Sequence, residues 1–462
     1  MSSPQIAWLR RDLRIADNPA LAAAAQAGPV IACYVLDDEC AGHHAYGGAS
    51  RWWLHHSLSS LAKSLEKLGS KLILRRGDAV EELTKLAAET GASAVHANRH
   101  YEPWWRKAQA QLGKALDLQL HDANYLLEPG RVKTGTGGDY KIYTPFSRAA
   151  LAMLPPRDLV PAPERLAAPD TWPASDNLDD WELLPTRPDW AGGMRDFWQV
   201  GEAAAHERLD WWEGHTEDYK DKRNLPSLDK TSRLSPHLHF GEISPVQIWH
   251  ALKHKSGAGW KTYEKELIWR DYGANAICQF PAYATKNYRS EYDAIIWRDP
   301  ENDPAAAADL KAWQQGRTGY PIVDAAMRQL WQTGWMHNRV RMVVASFLIK
   351  HLLIDWRVGE QWFWDTLVDA DYASNAANWQ WNAGTGVDSN MFVRIMAPLT
   401  QSEKFDCAGY IREYVSELRD LDEPYIHDPE EHGVLPADYP AKIVAHREGR
   451  ERALAAYKVM KG

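Results

Sequence analysis

The sequence of 462 residues carries a formal net charge of −9 and has the apolar and charged fractions of a folded protein, so its length predicts two or three domains. The acidic balance argues against a protein that coats nucleic acid indiscriminately, although a local basic patch remains open. Four cysteines without CxxC spacing and the lack of any run of about 20 apolar residues favour a cytoplasmic protein with neither metal nor membrane contact.

The first 127 residues alternate short apolar runs with helical patterns. Strands are predicted over 6–9, 30–36, 71–74, 94–98 and 118–120, and helices over 18–26, 51–68, 79–90 and 103–116. This alternation predicts a doubly wound α/β domain, in which helices cover both faces of a parallel sheet. No GxGxxG motif follows the first strand, so the usual dinucleotide cradle is missing from this domain.

The rest of the chain has a different texture. Residues 128–200 are rich in proline and predict a long surface connector with short helices. Residues 201–420 show apolar spacings of three and four, which predict an all-α domain. Residues 421–462 form a tail with weak helical character. The chain also contains 23 Trp against 8 Phe, which suits either a Trp-rich helical core or chemistry that needs stacking faces and oxidisable indoles.

Two short motifs of the helical region combine polar and aromatic groups. Thr231–Pro236 (TSRLSP) places small hydroxyls just before a predicted helix, which suits either an anion site or an ordinary helix cap. Glu266, Trp269 and Arg270 have the i, i+3, i+4 spacing of one helix face. They form either a surface ion pair over an indole or the wall of a pocket for a planar ligand.

Two further segments stand out by charge. Between Arg317 and Arg357 there are six Lys or Arg and two Asp, a local net charge of +4 that suits a nucleic-acid patch or a solvated helix face. Asp371, Asn375 and Trp379 lie at i, i+4 and i+8, so they share one stripe of a helix. Polar groups on a stripe that packs inward are costly unless something polar fills the space between them.

Taken in order, the motifs resemble those of one family. WLRRDLRIADNPAL, YKIYTPF, TSRLSP, ELIWRDY, TGYPIVDAAMRQL, TGWMHNRVRM, LLIDWRVGE and DADYASNAANWQW are similar to motifs of the photolyase/cryptochrome family, and most of all to bacterial class I-type cyclobutane pyrimidine dimer photolyases. The resemblance covers most of residues 5–420. It implies an N-terminal antenna-type α/β domain, an all-α C-terminal domain that binds FAD, and UV-damaged DNA as the partner of a monomeric, nucleoid-associated protein.

The resemblance also implies roles for individual residues. Those expected to surround FAD, active as FADH⁻, are Tyr219, Thr231, Ser232, Arg233, Leu234, Ser235, Tyr263, Arg270, Trp335, Arg341, Asp369, Asp371 and Asn375. Asn375 is expected to face the flavin N5. The lesion pocket would contain Glu266, Trp269, Asn338, Met342 and Trp381, and electrons would reach the flavin through Trp379, Trp356 and Trp297. Arg223, Arg339 and Arg394 are the expected DNA contacts, and Glu102 a contact of a folate antenna, with deazaflavin, a second flavin or no antenna as alternatives.

The activity that follows is light-dependent splitting of cyclobutane pyrimidine dimers, by electron transfer from excited FADH⁻ to a flipped-out dimer. A cryptochrome-type blue-light receptor is the first alternative, but the set of Glu266, Trp269 and Asn338 disfavours it. A (6–4) photolyase is the second. That chemistry calls for paired histidines at the lesion, whereas the motif here reads His337-Asn338.

Overall fold

The computed structural model describes residues 2–389 and 392–462, and its N-terminal part is a five-stranded parallel sheet. In chain order the elements are β1 (Gln5–Leu9), α1 (Pro19–Ala27), β2 (Val30–Leu36), α2 (Gly48–Lys67), β3 (Leu72–Arg76), α3 (Ala79–Thr90), β4 (Ala94–Asn98), α4 (Pro103–Ala115) and β5 (Leu118–His121). The strand order β3-β2-β1-β4-β5 reverses direction at β1, which makes the sheet doubly wound as predicted.

Side chains of each strand alternate between two buried layers. In β1, Ile6 and Trp8 pack with the layer that contains α3 and α4, whereas Ala7 and Leu9 pack with the layer that contains α2. This period of two places helices on both faces of the sheet. Local signals fix the helix ends: the Asn18 side chain accepts from Leu21 N at the start of α1, and α3 ends at Gly91, whose φ is +65°.

Two helices lie in the connector, α5 (Tyr143–Ala152) and α6 (Gly192–Phe197). The following helices are α7 (Glu202–Glu213), α8 (Tyr219–Lys222), α9 (Ser235–Phe240), α10 (Pro245–Leu252), α11 (Ala258–Gln279), α12 (Pro304–Gln314), α13 (Pro321–Thr333), α14 (Asn338–Ser346), α15 (Trp356–Thr366), α16 (Tyr372–Ala383), α17 (Pro398–Lys404), α18 (Ala408–Tyr414) and α19 (His446–Lys461). The largest buried cluster joins α13 to α16 with α18 and α19.

The two parts of the chain pack tightly against each other. Gly47, the residue just before α2, lies so close to Asp365 that a Cβ at this position would overlap the Asp365 backbone. The next residue, Gly48, donates its backbone N–H to Asp365 Oδ1 at 2.8 Å. Over the residues that the structure describes, no helix is both long and apolar enough to cross a membrane. The same residues contain no group of three or more His, Cys, Asp or Glu side chains placed to hold a metal ion.

Candidate flavin and substrate site

A cavity of about 530 Å³ lies between α8, α9, α11, α14 and α16, within the size range of small-molecule sites. Nearly all of the residues expected to touch flavin or lesion line it: Tyr219, Thr231, Ser232, Arg233, Ser235, Tyr263, Glu266, Trp269, Arg270, Trp335, Asn338, Arg341, Met342, Asp369, Asp371, Asn375 and Trp381. Leu234 is the exception, because it is fully buried behind the loop. The sequence motifs therefore converge on one space.

Helix α11 forms one wall, and the i, i+3, i+4 set lies on it as predicted. Glu266 Oε1 forms an ion pair with Arg223 Nη1, so Arg223 also lines the cavity. The Trp269 indole is 41% exposed and stacks on Tyr143 of α5, with ring centroids 3.3 Å apart and planes 6° apart. Arg270 donates to the carbonyls of Asn124 and Leu238, which ties this wall to the sheet end of the molecule.

Helix α16 packs beside α11 and forms a second wall, with its stripe lining the cavity. Asp371 caps the helix, because its Oδ1 accepts from Ser374 N at 2.8 Å. Burial alone would raise the pKa of Asp371, but the charges of Arg11 and Arg270 lower it below its usual value. A carboxylate held in its ionised form suits hydrogen bonds from ligand hydroxyl or N–H groups.

The entry to α14 supplies a further part of the wall. Arg341 binds Asp369 through Nη2, at 3.0 and 2.8 Å from its two carboxylate oxygens. Trp335 Nε1 donates to Ser235 Oγ at 3.3 Å and so connects this wall to the Thr231–Ser235 loop. Asn338 is the first residue of α14 and is exposed at the mouth of the cavity.

Arg208 of α7 holds the Thr231–Ser235 loop from behind. Its Nε donates to Ser232 O at 2.7 Å and its Nη2 to Thr231 O at 2.9 Å, while the guanidinium lies 3.8 Å from the ring centroid of Trp211. Thr231, Ser232 and Ser235 of the same loop line the cavity. No motif pointed to Arg208, since nothing in the sequence distinguishes it from the other arginines of the helical region.

One buried donor at the cavity is unused, which provides a test for a ligand. His239 lines the cavity, and burial together with the charge of Arg11 holds its pKa well below the usual range, so the ring is neutral. Arg11 Nη1 lies 3.4 Å from Nδ1, which leaves the hydrogen on Nε2. That atom has no partner among the described residues. A ligand with acceptor atoms along its length, as FAD has, would satisfy it.

Of the three tryptophans expected to carry electrons, Trp379 lines the cavity, and Trp356 and Trp297 lie outside its lining. Trp379 is 2% exposed, and a Cβ at Gly359, one turn after Trp356 in α15, would overlap its indole. Trp356 is fully buried. Trp297 precedes Arg298, whose N donates to Leu353 O at 2.8 Å, just before α15 begins. Trp379 also contacts Trp313, a residue that the sequence analysis did not single out, with ring centroids 6.4 Å apart.

Three of the expected DNA and antenna contacts lie outside the cavity lining. Arg394 is exposed, and Arg339 is half-buried, with Nη2 donating to Asn224 Oδ1 at 2.7 Å. Glu102 is 1% exposed and forms an ion pair with Arg11. Arg11 pairs with Oε1, whereas Oε2 has no hydrogen-bond partner among the described residues, and the role of Glu102 as an antenna contact stays a prediction.

A doubly wound sheet joined to a helical region with a polar, Trp-lined cavity defines a two-part flavoprotein of the photolyase type. Residues 5–167 match the family model described as DNA photolyase, and residues 263–459 match the FAD binding domain of DNA photolyase. The deoxyribodipyrimidine photo-lyase of Agrobacterium fabrum is 48% identical, with 100% of this chain and 98% of that protein covered. The chain therefore belongs to the DNA photolyase family, and its helical region is an FAD-binding domain.

Two other relatives define the breadth of the family. The crystal structure of a bacterial class III photolyase from Agrobacterium tumefaciens has 47% identity and a TM-score of 0.94, and the match covers 100% of this chain and 98% of that one. Cryptochrome-1 of Arabidopsis thaliana is 35% identical over 98% of this chain and 70% of its own length. The first relative is described as class III, whereas the motifs alone resembled class I-type enzymes most.

Proposed function

We propose that this protein uses light to split cyclobutane pyrimidine dimers in DNA. One observation carries the proposal: the residues expected to hold flavin and those expected to hold the lesion line the same cavity, with α11 and α16 contributing to both sets. A dimer flipped into its mouth would then lie beside the flavin without any intervening protein layer. Flipping a damaged pair out of the stack costs only a few kcal/mol, roughly, because the pair is already poorly stacked.

The residues at the mouth of the cavity suit a flipped-out pyrimidine dimer. Trp269 and Trp381 offer apolar faces, and the exposed Asn338 amide can donate to pyrimidine carbonyls. Glu266 forms an ion pair with Arg223 in the same wall, so the guanidinium is held beside the place where negative charge would develop on the dimer. Polar groups fixed before the reaction stabilise such charge without reorganising. When bound, FADH⁻ supplies the excited electron that the dimer accepts and later returns.

DNA outside the pocket would be held by charge. Arg339 and the exposed Arg394 are the proposed phosphate contacts. Arg339 lies in the locally basic segment 317–357, and the backbone carbonyl of Arg394 accepts from Lys350 of that segment. Binding through such contacts weakens as salt rises. The protein would act as a monomer on cytoplasmic DNA. An antenna chromophore of folate or deazaflavin type stays a prediction.

The experiment is illumination of the purified holoprotein, with its flavin reduced, in the presence of three oligonucleotides of one sequence. They carry a cyclobutane thymine dimer, a (6–4) photoproduct or no lesion. We expect intact thymines to return only from the first substrate and only in light. Repair of the (6–4) substrate instead would reverse the lesion assignment. FAD that is bound and photoreducible without any repair would favour a receptor of the cryptochrome type.

A further inference from the structure

Tyr143, the first residue of α5 in the connector, lies directly behind the Trp269 indole of α11. The two rings are parallel to within 6°, and their centroids are 3.3 Å apart. Tyr272 also contacts the indole, but edge-on, at a centroid separation of 5.6 Å. Trp269 lines the cavity and Tyr143 does not. The tyrosine therefore covers one face of the indole and leaves the other face to the cavity.

Tyr143 is itself fixed by contacts from three directions. Its Oη donates to the carbonyl of Lys265, one turn before Trp269 in α11, at 2.9 Å. Its backbone N donates to Asp388 Oδ2 at 2.9 Å. The ring meets that of Tyr272 edge-on, with centroids 5.6 Å apart. A phenol ring held by its hydroxyl, its backbone and its edge gives the indole a backing that cannot turn.

The same residue joins the two walls of the cavity mouth. Asp388, which accepts from the backbone of Tyr143, lines the cavity in the segment after α16. The next residue, Ser389, donates from Oγ to the carbonyl of Trp381 at 2.6 Å. Trp269 and Trp381 are the two indoles expected at the lesion. Tyr143 thus contacts one of them by its ring and the segment that supports the other by its backbone.

We propose that Tyr143 is a positioning residue that holds the Trp269 indole flat and immobile, so that DNA with a dimer is preferred over undamaged DNA. The proposal rests on the proposed function, which places the dimer against Trp269. An apolar face that is fixed before binding loses little conformational freedom when the dimer arrives, whereas a rotating indole would lose that freedom on binding. Undamaged DNA leaves the cavity empty and gains nothing from the fixed indole.

The location of the stack favours a role in binding over a role in stability alone. Apolar contacts stabilise a fold in proportion to the area that they remove from water. Trp269 nevertheless stays 41% exposed, and Ile142 beside the stack is 52% exposed. Exposed apolar surface surrounded by polar groups is typical of interaction sites. Tyr143 also belongs to the YKIYTPF motif, none of whose residues was among the predicted site residues.

The test compares the affinity of the FAD-containing holoprotein for an oligonucleotide with one cyclobutane thymine dimer and for the same sequence undamaged. In Tyr143→Ala the preference for the dimer should fall by about two- to tenfold, the equivalent of one side chain that must be immobilised on binding. Tyr143→Phe keeps the ring and should stay near the wild-type preference. Tyr140→Ala is the control, because it removes a ring of the same motif that packs on Phe146 instead.

A double-mutant cycle separates positioning from general damage. In a Trp269→Ala background, Tyr143→Ala should leave the preference unchanged, because the indole that it releases is gone. Tyr143→Leu fills the space without a flat face and should behave as Tyr143→Ala does. If Tyr143→Ala does not fold, Tyr143→Leu decides alone. A wild-type preference in both variants would overturn the proposal, as would an equal loss in the absence of Trp269.

A second measurement needs no DNA and so separates this proposal from the proposed function. The NMR order parameter of the Trp269 indole N–H, assigned by its loss in Trp269→Phe, should match rigid structure in the wild type and be clearly lower in Tyr143→Ala. An order parameter that is equal in the two proteins would contradict the role of Tyr143. A wild-type protein that binds both oligonucleotides equally would instead contradict the proposed function, and the order parameters would still decide whether Tyr143 holds the indole.

Discussion

Substitution of Glu266 should affect the chemistry on the dimer more than the binding of damaged DNA. Glu266→Ala removes the carboxylate that holds the Arg223 guanidinium in place. A hydrogen bond to a charged group contributes about 1.5–3 kcal/mol, so ring opening should slow by about tenfold or more and the quantum yield of repair should fall. Because Arg223 stays in the wall, affinity for damaged DNA should change much less. The quantum yield and the dissociation constant would be measured on one oligonucleotide.

A matched control is Asp221→Ala, which removes an exposed carboxylate near Arg223 that does not line the cavity. It should leave both quantities close to those of the wild type. An unchanged yield in Glu266→Ala would contradict the role of Glu266 in holding Arg223 beside the dimer.

Trp379 is the expected tryptophan that lines the cavity and is buried, so it should be the first donor to photoexcited oxidised flavin. Phenylalanine keeps the packing and is much harder to oxidise. Trp379→Phe should therefore abolish most photoreduction, while repair survives when the flavin is reduced chemically. Visible absorbance during illumination measures the first effect, and Trp172→Phe, far along the connector, is the control. Normal photoreduction in Trp379→Phe would mean that electrons enter by another path.

The spacing of polar and aromatic residues along the sequence predicted the α11 and α16 walls, because side chains at i and i+4 of a helix share a face. It could not predict Arg208, Glu360 or His44. Arg208 acts on carbonyls in a different element, and His44 meets Glu360 across 316 residues of chain. Contacts of this kind depend on how elements pack, which no local pattern records.

Among the helices and strands, the bounds were predicted most accurately where strong local signals mark them. The predicted bounds of β2, β4 and α3 are those observed, because apolar runs or an Asp cap and a terminal Gly mark them. The tail was predicted to be only weakly helical, yet α19 is a regular helix of 16 residues. Tertiary packing explains the difference: Gly449 lets α19 approach His351 so closely that a Cβ would come within 2.9 Å of its Cα.

Helix α15 packs on α16 through Gly359, which gives a prediction with a definite sign. Gly→Ala within a helix normally stabilises by about 0.5–1 kcal/mol. At Gly359 the added Cβ would overlap the Trp379 indole and Leu348, so Gly359→Ala should destabilise by about 1–3 kcal/mol. Denaturant unfolding measures it. Gly113→Ala in α4, where the nearest atoms are 4.0 Å away, should instead stabilise, and a stabilising Gly359→Ala would contradict the packing.

The segment after β5 is fixed by Glu128, whose carboxylate accepts from Ala123 N and Tyr101 Oη. Burial raises the pKa of Glu128 from 4.5 to about 7, so the folded state keeps its proton when the unfolded state has lost it. The contribution of Glu128 to the free energy of unfolding is therefore fully present below the pKa of the unfolded state. It is lost, by about 2–4 kcal/mol in all, as the pH rises through the pKa of the folded state. Glu128→Gln should flatten the fall in unfolding free energy between about pH 4.5 and 7.

The exposed Glu66→Gln is the control for that pH series and should keep the wild-type slope. An equal slope in wild type and Glu128→Gln would show that Glu128 does not titrate differently on folding.

For the molecule as a whole, the sheet and the helical region form the site together. Arg11 from the end of β1 lies 3.8 Å from Asp371 and contacts His239, and both of those residues line the cavity. His44, from the turn after β2, lies with Nε2 3.3 Å from Glu360 Oε1, the oxygen that also accepts from Asn375 of the cavity lining. The family motifs predicted a flavin site within the helical region, but not these supports from the sheet, since they arise only when the two parts dock. Removing the sheet should therefore cost flavin binding as well as any antenna.

The central claim, that excited flavin passes an electron directly to a dimer in the shared cavity, is tested most directly by the fluorescence lifetime of the reduced flavin. The holoprotein would be mixed with an oligonucleotide carrying one cyclobutane thymine dimer, or with the same sequence undamaged. Electron transfer adds a decay path, so we expect the dimer alone to shorten the lifetime. An unchanged lifetime with the dimer demonstrably bound would contradict the account.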